Sequence, residues 1–263
     1  MSLCLVISPA KKMNEVEGPP LPAGTPALLD RTRVLMQAVR RLGYAEAREL
    51  WHCSDALARL NFDRFRDMDL QRAPTAAVMS YEGIQYRHLS PAVMSEPELA
   101  YLAAHLRILS GFYGVLRPFD GVVPYRLEMQ AKLAVDGSHD LYGFWGTALY
   151  EALAAEFDAI VNLASREYAR AVAPCARQGG PAILTCLFGE LREGRLVQRA
   201  TEAKAARGTF VRWCAERGVE EARDMAGFGE RGYSLDEDLS DEKALVFTRD
   251  ATRGASRGRT RAG

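Results

Sequence analysis

Between Ser110 and Met129 the chain reads SGFYGVLRPFDGVVPYRLEM, which sets Arg117, Asp120, Arg126 and Glu128 among aromatic and aliphatic residues. A buried core gains nothing from such charges, because burying a charge is costly unless it is paired or bound. An exposed loop has no use for Phe112, Tyr113, Leu116, Val122 or Tyr125. The combination predicts charged groups at the floor of a cleft. Arginine presents a planar donor fork suited to phosphate or carboxylate, and carboxylates can orient it or exchange protons. Arg117 precedes Pro118, which favours an extended backbone there. Two readings stay open: Arg117 and Arg126 bind an anion, or the four side chains form internal ion pairs that lock a loop.

Other segments bring further chemistry. Ser8-Pro9-Ala10-Lys11-Lys12 follows the apolar run Leu3 to Ile7 and puts lysines at a strand tip. It lacks the glycines of a phosphate-cradling loop, so by itself it reads as a solvated loop. Asn162, Ser165, Arg166, Glu167 and Tyr168 follow a second apolar run. A helix cap explains Ser165, but not Asn162 or Tyr168. Lys204 and Arg207 lie three apart on a helix, where a solvated face is the commoner reading. The four histidines stand apart from one another, and adjacent His52 and Cys53 would point about 100° apart on a helix. No metal-ligand spacing, nucleophile signature or dinucleotide fingerprint is present, and no cofactor is expected. The acidic run Asp236 to Glu242 lacks Ca²⁺-loop spacing and reads as a solvated turn.

These residues need elements to hold them. Leu3–Ile7 and Ala159–Leu163 read as buried strands, and Ala182–Phe188 with Arg195–Arg199 as a hairpin. Helices are expected over 26–42, 46–60, 62–68, 145–157 and 203–216. Asn61 would supply a left-handed break between the second and third. Ala76–Tyr81 reads as a strand running into a turn at Gly83. Ser95-Glu96-Pro97-Glu98 is a capping box opening a helix that carries Leu99, Leu102, Leu106 and Leu109 and ends at Ser110. Strand-like pieces cover 112–116 and 122–129, and final strands 233–235 and 244–248. Helices and strands without a regular βαβ rhythm predict an α+β fold.

Bulk composition excludes little more. Apolar residues make up 48% of the 263, charged residues 26%, and formal net charge is zero. The total therefore favours neither nucleic acid nor membrane. Met1–Ser8 lacks a basic leader region, and no apolar run is long enough to span a bilayer. Five scattered cysteines without CxxC read as reduced thiols in a cytoplasm. One domain is expected over 1–249, followed by a disordered basic tail over 250–263, where Arg, Gly, Ser and Thr leave almost nothing to bury.

Several of these segments recur in a fixed order: Ser8-Pro9-Ala10-Lys11, HLRILSGFYGVLRPFD (105–120), PYRLEM (124–129), LYGFWG (141–146), NLAS (162–165) with Glu167 and Tyr168, and AKAARG (203–208). Together they closely resemble the YaaA family of bacterial peroxide-stress proteins, from Leu3 to about Arg249. The resemblance implies a cytoplasmic protein that protects against hydrogen peroxide by holding down free iron. It also implies a single compact α+β fold of unusual mixed-sheet topology, a positively charged cleft and binding to double-stranded DNA. A helix-hairpin-helix element comes with it and would map to Ser54–Met68. The usual hairpin glycines are absent there, since the junction reads Arg59-Leu60-Asn61-Phe62.

The expected anion- or DNA-binding residues are Lys11, Arg117, Arg126, Ser165, Arg166, Lys204 and Arg207. If the cleft is catalytic, the candidates are Lys11, Asp120, Glu128, Tyr168 and Lys204, acting on a small anionic or nucleotide-like substrate. Shape discriminates the two: a wide groove suits a duplex, and a closed pocket suits a small molecule. Without a metal-ligand pattern, any effect on iron is expected to be indirect.

Overall fold

The computed structural model describes residues 2–249, so the basic tail lies outside the described residues. An eight-stranded sheet forms the centre. Its strands are β1 (Leu3–Ile7), β2 (Leu106–Ser110), β3 (Gly114–Leu116), β4 (Ala159–Asn162), β5 (Ala182–Arg192), β6 (Arg195–Val197), β7 (Ser234–Leu235) and β8 (Ala244–Arg249). Their order is β7-β8-β5-β4-β1-β2-β3, with β6 paired to β5. The five strands β2, β1, β4, β5 and β8 are mutually parallel, whereas β3, β6 and β7 pair antiparallel. This is the mixed sheet of an α+β fold, with helices around it.

The parallel strands run in the order second, first, third, fourth, fifth. The chain leaves β1 towards one edge, then crosses back to continue on the other side. Such an order creates a switch point between β1 and β4, and a crevice opens at the carboxyl ends of the two strands there.

The main helices are α1 (Leu29–Arg40), α2 (Tyr44–Trp51), α3 (Asp55–Asp67), α4 (Ile84–Leu89), α5 (Glu96–His105), α6 (Ala148–Ala154) and α7 (Ala200–Arg217). Four sequence expectations are corrected. Helix α3 runs straight through Asn61, which is buried and donates its Nδ2–H to the Leu57 carbonyl at 2.7 Å. The left-handed residue between helices is His52 instead, with φ 42°. The helix opened at Ser95 stops at His105, and Leu106–Ser110 is strand β2, buried at every position. Ala77–Ser80 is a helical turn between the short pairings Thr75–Ala76 with Gly121–Val122 and Tyr81–Glu82 with Lys12–Met13. The helix expected over 145–157 is split at Gly146 into a turn, Leu141–Trp145, and α6.

Candidate functional site

The largest concentration of chemistry lies at the β1/β4 switch point. A cavity of about 480 Å³ is walled by Ser8–Lys12 after β1, Ser165, Glu167 and Tyr168 beyond β4, Glu82–Arg87 at the start of α4, Tyr125–Glu128, and Lys204 and Arg207 of α7. The two strand ends are stitched together: the Ser165 N–H donates to Ser8 Oγ at 2.7 Å. Tyr86 Oη–H donates to the Ser8 carbonyl at 3.0 Å and ties α4 to the same point.

Close backbone approach fixes the remaining walls. Gly111 follows β2, and a Cβ there would lie 2.5 Å from the Leu127 carbonyl. Only glycine lets the Tyr125–Glu128 segment press so near. Tyr125 is held from below by hydroxyl hydrogen bonds to Tyr81 at 2.9 Å and Ser110 Oγ at 2.6 Å. On the opposite wall a Cβ at Gly208 would fall 2.0 Å from the Gln85 carbonyl. Helices α7 and α4 therefore touch backbone to backbone, at the turn of α7 that carries Arg207.

Charge is unevenly distributed. Glu128 is mostly buried; its Oε2 meets Lys11 Nζ at 2.7 Å and its Oε1 meets Arg126 Nη2 at 3.1 Å. Arg126 also donates Nε–H to the Trp51 carbonyl at 3.4 Å. Lys12 pairs with Glu82 at 2.7 Å. Six cationic and three carboxylate side chains face the cavity, so these pairings leave cations over. Arg87, Lys204 and Arg207 form no ion pair among the described residues. Arg207 Nε and Gln85 Nε2 are buried with no hydrogen-bond partner, and Gln85 is only 6% exposed. Burial disfavours the charged form of Arg207, and its neighbour Cys186 is a neutral thiol pushed far up by burial.

Glu167 accepts the Gln130 N–H at 3.2 Å. Its carboxyl is held above the ordinary range, first by burial and then by the charge of Glu128. Burial likewise raises the phenols of Tyr86, Tyr168 and Tyr125, the last to about 12, so these walls are neutral hydrogen-bonding surfaces.

Of the residues singled out from sequence, Lys11, Arg126, Glu128, Ser165, Tyr168, Lys204 and Arg207 line this cavity. Arg117, Asp120 and Arg166 do not. Arg117 is exposed and reaches Glu156 at 3.1 Å, the same carboxylate that holds the buried Arg107 of β2 at 2.6 Å. Asp120 is buried under the loop and accepts the Arg117 N–H at 2.8 Å. Arg166 is exposed on the first turn after Ser165. The opening segment therefore divides: Arg117 and Asp120 lock a turn, whereas Arg126 and Glu128 serve the cavity. Gln85 and Arg87 escaped sequence reading, because single polar residues in a six-residue helix carry no pattern. Among the described residues no group of three or more His, Cys, Asp or Glu is assembled that could hold a metal ion. No helix there is long and apolar enough to cross a membrane.

Fold and cavity together define an α+β protein with a positively charged crevice at the switch point of its sheet. Residues 3–239 match the family described as "Peroxide stress protein YaaA". A UPF0246 protein of Pediococcus pentosaceus is 46% identical over 244 residues, covering 92% of this chain and 96% of the relative. UPF0246 proteins of Lactiplantibacillus plantarum and Lachnoclostridium phytofermentans are 46% and 44% identical, each over 92% of this chain and 98% and 95% of theirs. The chain belongs to the YaaA family of peroxide stress proteins.

Proposed function

We propose that the protein serves peroxide stress by binding, and acting on, a small anionic molecule of nucleotide size in the switch-point cavity. The observation that carries this reading is the Arg207–Gln85 pair. Arg207, a cation without a carboxylate partner among the described residues, and Gln85, with a buried amide nitrogen that has no acceptor, line the same cavity. Protein interiors rarely leave such donors unused. A phosphate or carboxylate oxygen would satisfy both, and Lys204 and Arg87 would add charge. The volume falls within the range of small-molecule sites. Glu128, anchored by two cations, and Glu167, whose carboxyl burial holds towards its protonated form, are two carboxylates of the cavity that could serve acid–base chemistry.

Double-stranded DNA, implied by the family resemblance together with a helix-hairpin-helix, is the second candidate ligand. The walled shape of the cavity and the continuous helix α3 favour the small molecule. An influence on iron would then act through the cavity's ligand. Calorimetric titration with inorganic phosphate, a nucleoside monophosphate and a short DNA duplex tests the reading. The small anions should bind and lose affinity in Lys204→Ala. Duplex binding that ignores saturating phosphate would defeat it.

A further inference from the structure

The switch-point cavity has a neighbour. A second cavity of about 330 Å³ shares Lys11, Arg126 and Glu128 with the first, and adds Trp51, His52 and Lys132. The three shared side chains thus form the partition between the two spaces. Glu128 holds one cation on each oxygen, Lys11 on Oε2 and Arg126 on Oε1. The Lys11 side chain is 64% exposed, and an ion pair with so exposed a member is held only weakly. Arg126, by contrast, has a side chain only 11% exposed and is fastened to the end of α2 through the Trp51 carbonyl.

Trp51, a lining residue of the second space, carries an unmet donor beneath its surface. Trp51 is 3% exposed, and its indole N–H, which can only donate, has no acceptor among the described residues. Lys132 is exposed on the same cavity and pairs with no carboxylate among those residues. With Lys11 and Arg126 against Glu128 alone, the second space is also cationic.

We infer that the two cavities are compartments of one elongated site that takes a linear polyanion of the polyphosphate type, inorganic or carried by a nucleoside. One anionic group lies against Arg207 and Gln85. A second lies against Lys132 and the Trp51 N–H. Lys11 exchanges Glu128 for the ligand where the chain passes the partition. The inference rests on the first cavity being an anion site and extends it by naming the ligand's length and charge.

Titration of the full chain with orthophosphate and with tripolyphosphate tests it. Lys132→Ala and Trp51→Phe should each weaken tripolyphosphate roughly tenfold, the worth of one charge-assisted hydrogen bond, and leave orthophosphate unchanged. Tripolyphosphate affinity untouched by both variants overturns the inference, as does an equal loss with both probes. Trp51→Phe keeps an aromatic ring but replaces the indole by a smaller phenyl at a buried position, whereas Lys132→Ala alters only an exposed side chain, so the second stands if the first fails to fold. Should neither probe bind the wild type, the anion reading of the first cavity has failed. Arg207-dependent orthophosphate binding with tripolyphosphate insensitive to Lys132 removes only the second compartment.

Discussion

Arg207 should be harmful to stability and necessary for binding, and the two effects can be separated by Arg207→Met. In the free protein this guanidinium lines the cavity with Nε buried and unbonded, no carboxylate partner among the described residues, and a neutral thiol at Cys186 nearby. An unsatisfied buried polar group costs about 1–3 kcal/mol. Methionine keeps the packing of the arginine stem and removes the stranded charge. The variant should therefore melt higher than wild type without ligand, by about 2–4 °C for each kcal/mol recovered. Its affinity for phosphate should fall about 10- to 100-fold, since a hydrogen bond to a charged group is worth about 1.5–3 kcal/mol. Phosphate should raise the melting temperature of wild type and not that of the variant. Scanning calorimetry with and without phosphate reads all three. A variant that melts lower than wild type would refute the argument, because it would mean that Arg207 is a structural tie.

Gly208→Ala should act in the reverse sense. The added Cβ meets the Gln85 carbonyl at 2.0 Å, so α7 and α4 must part by about 1 Å. Overpacking of this kind costs about 1–3 kcal/mol and outweighs the ~1 kcal/mol that alanine gains over glycine in a helix; an unchanged melt with unchanged phosphate affinity would show the contact to be soft. Glu167 carries the pH dependence. Its carboxyl is raised above the ordinary 4.5, so its contribution to stability is complete below that value and is lost as pH rises through the raised one. Glu167→Gln should flatten this loss between acid and neutral pH. Sulfate, which stays dianionic, should bind wild type more tightly as pH falls but bind the variant evenly, as titration at several pH values would show. Glu156→Ala should destabilise by roughly 1–3 kcal/mol by stranding the buried Arg107, less than a fully buried pair because Glu156 is 36% exposed. Arg117→Ala, at an exposed end of the same network, should change neither stability by more than about 1 kcal/mol nor anion affinity; a large loss of binding there would return Arg117 to the site.

The elements that could be read from sequence were those whose pattern was complete within themselves. Leu3–Ile7 and Ala159–Asn162 are short apolar runs closed by polar residues, and Ala200–Arg217 is a long helix stopped at Gly218. Leu106–Ser110 was hidden because its leucines continue the helical spacing of α5. A strand buried on both faces shows no alternation to contradict that spacing. Strand order was also out of reach, since the crossover from β1 to β2 passes through α1 to α5 and shows no regular βαβ rhythm. Within the site, Arg126 and Glu128 were visible as charges in an apolar segment, but the same signal marked Arg117 and Asp120. Sequence registers that charge is buried near a turn; whether it faces a cavity or a neighbouring carboxylate depends on where Glu156 and Lys11 arrive from distant elements.

The geometry of the cavity follows from that distance. Its walls come from five separate segments, and none could hold its charges alone. Ser8 and Ser165 bring two parallel strand ends together, Gly111 admits the Tyr125–Glu128 segment, and Gly208 admits α4. The charges nearest the Tyr125–Glu128 segment are mutually paired, whereas those on α4 and α7 are not. A purely structural role would predict pairing throughout, because each unpaired buried donor lowers stability. Within the switch-point cavity the unpaired buried donors lie on the α4/α7 wall, where an anionic group of a ligand would satisfy them. On the proposed function, α7 would be the side that holds the anion, and Glu128 and Glu167 the side that exchanges protons.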